Sequence, residues 1–456
     1  MLWDSQLIHK YNLAGPRYTS YPTAPKFDSN ISKMALIDKM LTPSNQPLSL
    51  YFHVPFCAHL CYYCACNKIV TKQYDKGNEY VEILGEEMRL RSLMLDQTRP
   101  VTQLHFGGGT PTFLSETNLR RLFKKIDETF TLVRDGSQDF SIEIDPREVD
   151  RSKLETLADL GFNRVSLGIQ DFNPDVQKAI HRIQSLDLVN KVVNDIRALG
   201  FSSINFDLIY GLPKQTLEGF DKTLDQVIAL SPDRISVFNY AHLPNRFAPQ
   251  KRILDADLPS PDQKLTLLKY TIEKLTGAGY VYIGMDHFAK PSDPLTIAQQ
   301  QGHMQRNFQG YTTHAETDLL AFGVSGISQI DGAYFQNHTD LSLYQNSIEN
   351  GQLAIMKGYI SHQDDRIRHF VIMQLLCHNY ISSSMVESEF NVSFCEYFQT
   401  ELDRLAALEE DGVLTITKSD DGVTIQINEI GRLLVRCVCM AFDQYINENA
   451  SFSKVI

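Results

Sequence analysis

Four cysteines fall within one short loop, Cys57-x3-Cys61-x2-Cys64-x-Cys66, in the stretch YFHVPFCAHLCYYCACNK that begins at Tyr51. Thiols this close together point to metal or redox chemistry. A zinc site usually draws two pairs of ligands from separated turns, and no second cluster follows here, so zinc is the second choice. A compact loop suits an iron–sulfur cluster, whose short edges require the ligands to wrap one corner of a cube. If Cys57, Cys61 and Cys64 bind three irons of a four-iron, four-sulfur cluster, the fourth iron stays open to chemistry. The other four, Cys377, Cys395, Cys437 and Cys439, are scattered through apolar surroundings and read as buried small hydrophobes.

A cluster loop has to be positioned, and the flanking sequence supplies the elements. Runs rich in β-branched and aromatic residues recur with helical stretches between them: LSLYFHV from Leu48, QLHFGG from Gln103, DFSIEID from Asp139, RVSLGIQ from Arg164, SINFDLIYG from Ser203 and RISVFNYA from Arg234. Strands alternating with helices predict an α/β fold with a parallel sheet of right-handed units. In such sheets functional groups gather at the C-terminal strand ends. The polar and Gly-rich residues sit there: the cysteines after the first strand, Gly107-Gly108-Gly109-Thr110-Pro111 after the second, Glu143 on the third, Gln170 on the fourth, Asp207 on the fifth and Ala241-His242 after the sixth.

Some of these residues have a plainer reading. The triple glycine followed by Thr-Pro favours close backbone approach to a ligand over a mere turn. Asp145 shares a strand face with Glu143, yet Asp145-Pro146-Arg147-Glu148 reads as a helix N-cap, a proline at N1 and an acid at N3. Glu143 alone is kept as a ligand contact. His53 is read as a hydrogen-bonded structural histidine and stays outside the metal set.

With 456 residues, 43 Lys and Arg against 55 Asp and Glu, and a net charge of −12, the chain repels phosphate backbones and anionic membranes. No signal-peptide pattern or membrane-length apolar run is present. The expectation is a soluble cytoplasmic protein with no nucleic-acid or membrane partner, whose clustered thiols remain reduced. Three segments are expected. Residues 1–47 form an irregular, aromatic leader (YNLAGPRYTSYPTAPKFD from Tyr11) that covers the active site as a lid. Residues 48–359 form the β/α barrel and an extension. Residues 360–456 form a smaller, mostly helical domain in which two alternating strands around an Asp-Asp-Gly turn make a winged hairpin.

Three cysteines spaced x3 and x2, with an aromatic before the third, resemble the radical S-adenosylmethionine superfamily, and the GGGTP run supports this. Within it, HVPFC…C…CACNK with the extra Cys66, GPRYTSYPTA, FDLIYGLPKQT, FNYAHLP, MDHFA and NFQGYTT resemble the oxygen-independent coproporphyrinogen III dehydrogenase (oxidase) family of haem biosynthesis, over nearly the whole chain. The resemblance implies a partial (β/α)6 barrel, a [4Fe-4S] cluster on Cys57, Cys61 and Cys64, and S-adenosylmethionine chelating the open iron; a fourth ligand would fill that iron, so Cys66 is read as a non-ligand close to the substrate. It implies radical decarboxylation of two propionates of coproporphyrinogen III to vinyl groups, giving protoporphyrinogen IX; a monomer is expected, and the sequence does not identify the electron donor for the cluster. Position by position, it assigns Tyr51, Tyr63, Gly108, Glu143 and Ile327 to the cluster-bound S-adenosylmethionine. It assigns Gly109, Thr110, Gln170, Arg182, Asp207 and Ala241 to a second S-adenosylmethionine beside the first. Tyr63 departs modestly from a position where Phe is also common. Arg17 and Arg306 stand as candidates for pairing the substrate's propionates, because Arg binds carboxylates bidentately, against an ordinary surface role.

The nearest rival is a haem chaperone that keeps the three cysteines. Such relatives carry a non-cysteine at the position of Cys66, lack the leader and contain a His-Asn-x-x-Tyr-Trp motif. This chain has Cys66, the leader and a single tryptophan, Trp3. A radical methyltransferase using two S-adenosylmethionines is the other enzyme alternative, separable by its product.

Overall fold

The computed structural model describes residues 3–315, 317–420, 422–446 and 454, so Asp421 of the expected hairpin turn lies outside the described residues. Contacts divide the chain into two compact units, Phe27–Leu268 with Glu316–Ile360, and Met1–Lys26 with Lys269–Ala315 and Ser361–Ile456.

The first unit contains the six anticipated strands: β1 (Leu48–Val54), β2 (Pro100–Gly108), β3 (Asp139–Ile144), β4 (Arg164–Gln170), β5 (Ser203–Tyr210) and β6 (Arg234–Asn239). The second begins earlier than QLHFGG suggested, at Pro100, whose missing N–H is tolerated at a strand start. Helices follow the first five strands: α1 (Lys76–Ser92), α2 (Glu116–Thr129), α3 (Arg151–Asp159), α4 (Leu186–Ala198) and α5 (Leu217–Leu230). Each of α2 to α5 starts at a Ser, Asp or Thr whose side chain accepts a first-turn N–H. The six strands are parallel neighbours in chain order, so the partial (β/α)6 barrel expected from the sequence is the observed fold. Their outward residues are buried under the helices, as in β3, where every second residue is buried. The inward residues are largely polar.

The sheet continues past β1 through a segment whose strands the sequence reading did not resolve. Strand β7 (Asp318–Phe322) pairs parallel with β1, and β8 (Ile327–Ile330), β9 (Ala333–Asn337) and β10 (Ile355–Ile360) extend it antiparallel. Asp145 does cap, accepting the Arg147 N–H at 3.1 Å, but it caps a single 3-10 turn, Pro146–Glu148. The α-helix itself starts at Arg151 under a second cap, Asp150.

The second unit takes the first part of the expected leader, up to Lys26, which is less irregular than its composition suggested, with a helix at Ser5–Tyr11 capped by Asp4. Tyr18 donates to Asp443 at 3.0 Å, and the Arg436 Nε–H reaches the Pro16 carbonyl at 2.8 Å. Strands Leu414–Ser419 and Gly422–Ile427 form the expected hairpin, with Tyr380–Ser382 on its flank. Arg17 pairs with Asp286, and Arg306 is buried against the Tyr311 ring at 4.7 Å. Among the described residues no helix is long and apolar enough to cross a membrane.

Candidate active site

The chain's first functional feature is set by how the cysteine loop is tied down. Phe56–Cys57 runs parallel to Ile69–Val70, which closes the loop at its base. The Tyr62 N–H donates to the Ile180 carbonyl at 2.9 Å, and the Thr110 N–H to the Phe56 carbonyl at 2.8 Å. The glycines after β2 serve this packing. A Cβ on Gly109 would stand 2.7 Å from the Pro55 backbone, and one on Gly108, at φ +114°, 2.6 Å from the His53 ring. Close backbone approach is therefore required here, but the visible neighbour is the cysteine loop itself. His53 fits its structural reading: Nε2 lies 3.0 Å from the Asn67 carbonyl and Nδ1 3.1 Å from the Tyr51 hydroxyl, and burial lowers its pKa.

Around this loop lies a cavity of about 260 Å³ lined by Cys57, Cys61, Tyr63, Cys64, Cys66, Gly108, Gly109, Thr110, Glu143, Gln170, Arg182 and Asp207. Tyr51, Ala241 and Ile327 are not among its walls. Tyr51 lies behind, stacked on His105 with centroids 5.8 Å apart. Ala241 is linked to the loop through Gln250, whose Nε2 donates to the carbonyls of Ala241 at 3.2 Å and Tyr63 at 2.9 Å. Ile327 starts β8, two strands beyond β1.

The donor set can be tested against the group it would hold. A single metal ion needs three or four donors converging on one point, and among the described residues no three His, Cys, Asp or Glu side chains do so. Three thiols around one cavity, each reaching in from the same loop, fit a multi-iron cluster instead, whose cysteines stand at separate corners. The sulfurs also receive donors suited to a thiolate: Thr110 Oγ1–H on Cys57 at 3.5 Å, and Arg182 Nη1–H and Arg147 Nη2–H on Cys61 at 3.6 and 3.7 Å. Burial pushes the Cys57 thiol up to about 11. The hydrogen bond from Cys66 is the chief reason that Cys64 falls to about 6. Binding iron there would take Cys57, Cys61 and Cys64 to thiolates.

Opposite the loop stand three carboxyl groups with different environments. Burial opposes ionisation of Glu143, but His105, with Nε2 at 3.5 Å, and the Gly108 N–H at 3.2 Å leave its pKa below the ordinary value. Asp145 is buried too, yet Arg182 at 3.0 Å and Arg147 at 2.6 Å hold it far below the usual carboxylate range. The sequence reading set Asp145 aside as a cap; it is a cap and also the anchor of the two guanidiniums on Cys61. Arg182 Nη2–H donates to the Gly168 carbonyl at 2.6 Å, and its Nε is buried without a partner among the described residues. Asp207 accepts from Ser166 Oγ–H at 2.8 Å and Asn205 Nδ2–H at 2.9 Å, and burial, with Glu143's charge adding to it, pushes its pKa up to about 6.

Asp207 yields a stability prediction whose sign follows from that shift. An unfolded Asp titrates near ~3.9, so above about pH 6 the folded chain carries a charge it would rather neutralise. Below roughly pH 4 both states are protonated and the penalty disappears. Asp207→Asn is therefore expected to raise the unfolding free energy by about 1–2 kcal/mol at neutral pH and to change it little near ~pH 4. Urea titrations at the two pH values check this; equal gains at both would show that charge burial is not the cause.

Arg147, Lys68, His59 and Ser166 were not singled out from sequence. Arg147 carried a signal, since it stands in the capping turn beside Asp145 at a strand end. Ser166 and Gly168 alternate on β4 toward the same face as Glu143 and Asp207, and could have been found by period-2 counting.

A scan of family models matches the radical SAM superfamily over residues 51–227. The chain is 51% identical to the oxygen-independent coproporphyrinogen III oxidase of Pseudomonas aeruginosa, covering 100% of this chain and 99% of that protein. It is 47% identical to that of Escherichia coli K12, with 100% and 98% covered. The crystal structure of the Escherichia coli coproporphyrinogen III oxidase, described as a radical SAM enzyme, matches with a TM-score of 0.92 and 46% identity, over 98% of this chain and 99% of that one. With its cysteine loop, its partial barrel and this full-length identity, the chain belongs to the oxygen-independent coproporphyrinogen III oxidase family of radical SAM enzymes.

Proposed function

We propose that this chain converts two propionate side chains of coproporphyrinogen III to vinyl groups, giving protoporphyrinogen IX in anaerobic haem biosynthesis. Each conversion removes one hydrogen atom and one electron from the propionate and releases carbon dioxide. The observation that carries the reading is the placement of Cys57, Cys61 and Cys64 around a cavity that also holds Cys66 and the strand-end acids. When bound there, the cluster supplies one electron and S-adenosylmethionine the radical that takes the hydrogen atom.

The residues divide the work. Cys57, Cys61 and Cys64 are the iron ligands, and Cys66 stays free beside the substrate. Glu143, held ionised by His105 and the Gly108 N–H, suits the ammonium of the cluster-bound S-adenosylmethionine, with Tyr51, Tyr63, Gly108 and Ile327 around it. We place a second S-adenosylmethionine against Gly109, Thr110, Gln170, Arg182, Asp207 and Ala241. The buried, unpartnered Nε of Arg182 supports that site, because such a donor costs free energy until something accepts from it. The reaction is placed in the cytoplasm, in a monomer without nucleic-acid or membrane partners, with electrons delivered by a separate donor. The net charge of −12 supports the absence of polyanionic partners.

The test is anaerobic incubation of the reconstituted protein with S-adenosylmethionine, a reductant and coproporphyrinogen III, with tetrapyrroles analysed by mass. Stepwise loss of two carboxyl groups as carbon dioxide is expected, and a methylated product would replace this reading with a methyltransferase. Equilibrium dialysis should give two S-adenosylmethionines per cluster, and Asp207→Ala should weaken the second by roughly thirtyfold or more while sparing the first. A wild-type stoichiometry of one would remove the second site.

A further inference from the structure

The reaction brings carboxylates into a cavity whose own wall is acidic, and the cations on that wall are not equally available. Arg182 is committed to Asp145, Cys61 and the Gly168 carbonyl. His59 is held by Glu148 at 2.6 Å. Lys68 lines the same cavity, half-buried, just past the exposed Cys66. Its ammonium donates to a neutral acceptor, the Cys64 carbonyl at 3.0 Å, and makes no ion pair among the described residues. An ammonium has three donors; beside the Cys64 carbonyl it also hydrogen-bonds the Cys64 side chain, so Lys68 keeps one for a ligand.

The cavity wall carries Glu143 and Asp207, and a propionate that loses its hydration shell on entering is destabilised unless a cation pairs it. Lys68 can supply that cation at the side of the cavity formed by the cysteine loop. Its flexible stem lets the ammonium follow a substrate that must present two different propionates in turn. The ammonium also favours the thiolates of Cys57 and Cys64, a separate effect on the cluster loop. A lysine serving only as their counter-ion would act on the cluster and leave substrate affinity untouched.

We propose that Lys68 seats a propionate carboxylate of the tetrapyrrole substrate beside Cys66. The proposal rests on the function argued above. It is tested with reconstituted wild-type, Lys68→Gln and Lys68→Arg enzymes by anaerobic equilibrium dialysis against coproporphyrinogen III, quantified as the fluorescent porphyrin after oxidation. Lys68→Gln should weaken porphyrinogen binding roughly ten- to a hundredfold, and Lys68→Arg should restore most of it. Iron content and S-adenosylmethionine affinity should match wild type, while any shift in the cluster's midpoint potential reads the lysine's effect on the thiolates separately. Unchanged porphyrinogen affinity in Lys68→Gln overturns the proposal, whether or not the cluster potential or S-adenosylmethionine binding moves. A wild-type enzyme that releases carbon dioxide from coproporphyrinogen III while Lys68→Gln binds it normally sinks the assignment of Lys68 alone. A wild type that does not bind or decarboxylate it sinks the functional reading as well.

Discussion

Replacing Cys57, Cys61 or Cys64 by serine is expected to abolish reconstitution of the iron–sulfur cluster, while Cys66→Ser retains it and loses turnover. The three proposed ligand thiols come from one loop whose other thiol, Cys66, is engaged with Cys64, so each of the three is expected to be needed. Serine keeps the shape but binds iron poorly at neutral pH, because its hydroxyl does not give up the proton that a thiol yields readily. Cys66 stands apart from them: it is exposed in the cavity and donates to Cys64, so its removal takes away a neighbour of a ligand and no ligand. Iron and sulfide analysis after anaerobic reconstitution, with the visible absorbance of the brown protein, separates the variants. Full iron in Cys57→Ser would reassign the ligand set. Iron loss in Cys66→Ser would make it a fourth ligand and close the iron that S-adenosylmethionine needs.

What the sequence revealed of this site depended on regular spacing. The strands β1 to β6 were legible because their outward residues are apolar and their ends carry Gly, Pro or acidic residues, so pattern and punctuation agree. Glu143, Gln170 and Asp207 followed, being polar residues at those ends. Strand β7 and the antiparallel strands β8 to β10 are short and their turns weakly marked, so periodicity did not separate them. Asp145 was half legible. A capping motif explains such a residue locally, and nothing in the sequence shows that Arg182, many residues later, folds back onto the same carboxylate. Lys68 was not singled out, since its cavity exists only once the strand ends converge.

The least legible residues are also expected to matter most to stability. Glu87 and Arg91 lie four apart on α1, a spacing that on a helix usually means an exposed pair worth a few tenths of a kcal/mol. Both side chains are fully buried. Arg91 donates to Glu87 Oε1 at 2.8 Å, Ser328 Oγ at 3.2 Å and Asn337 Oδ1 at 2.9 Å, with its guanidinium over the rings of Phe322 and Phe335. Glu87 Oε2 accepts the Gly323 N–H and the Tyr344 hydroxyl, each at 2.7 Å, and Oε1 accepts Asn337 Nδ2–H at 2.8 Å. Beside it, Tyr80 accepts the Val324 N–H at 3.0 Å and donates to the His53 carbonyl at 2.7 Å, at the end of β1. This network therefore fixes the strand end from which the cysteine loop departs. Glu87→Ala leaves a buried guanidinium without its counter-charge and is expected to destabilise the chain by about 3–5 kcal/mol. Buried pairs can often be replaced by apolar residues at little cost, but Glu87 also serves Gly323, Tyr344 and Asn337. The double variant Glu87→Leu/Arg91→Met should consequently remain destabilised by about 1–3 kcal/mol, the cost of stranded donors. Anaerobic urea unfolding of wild type and both variants decides the matter. A Glu87→Ala protein as stable as wild type would show that the pair contributes little. A double variant at wild-type stability would show that the surrounding donors find other acceptors, so that the strand end is held by packing.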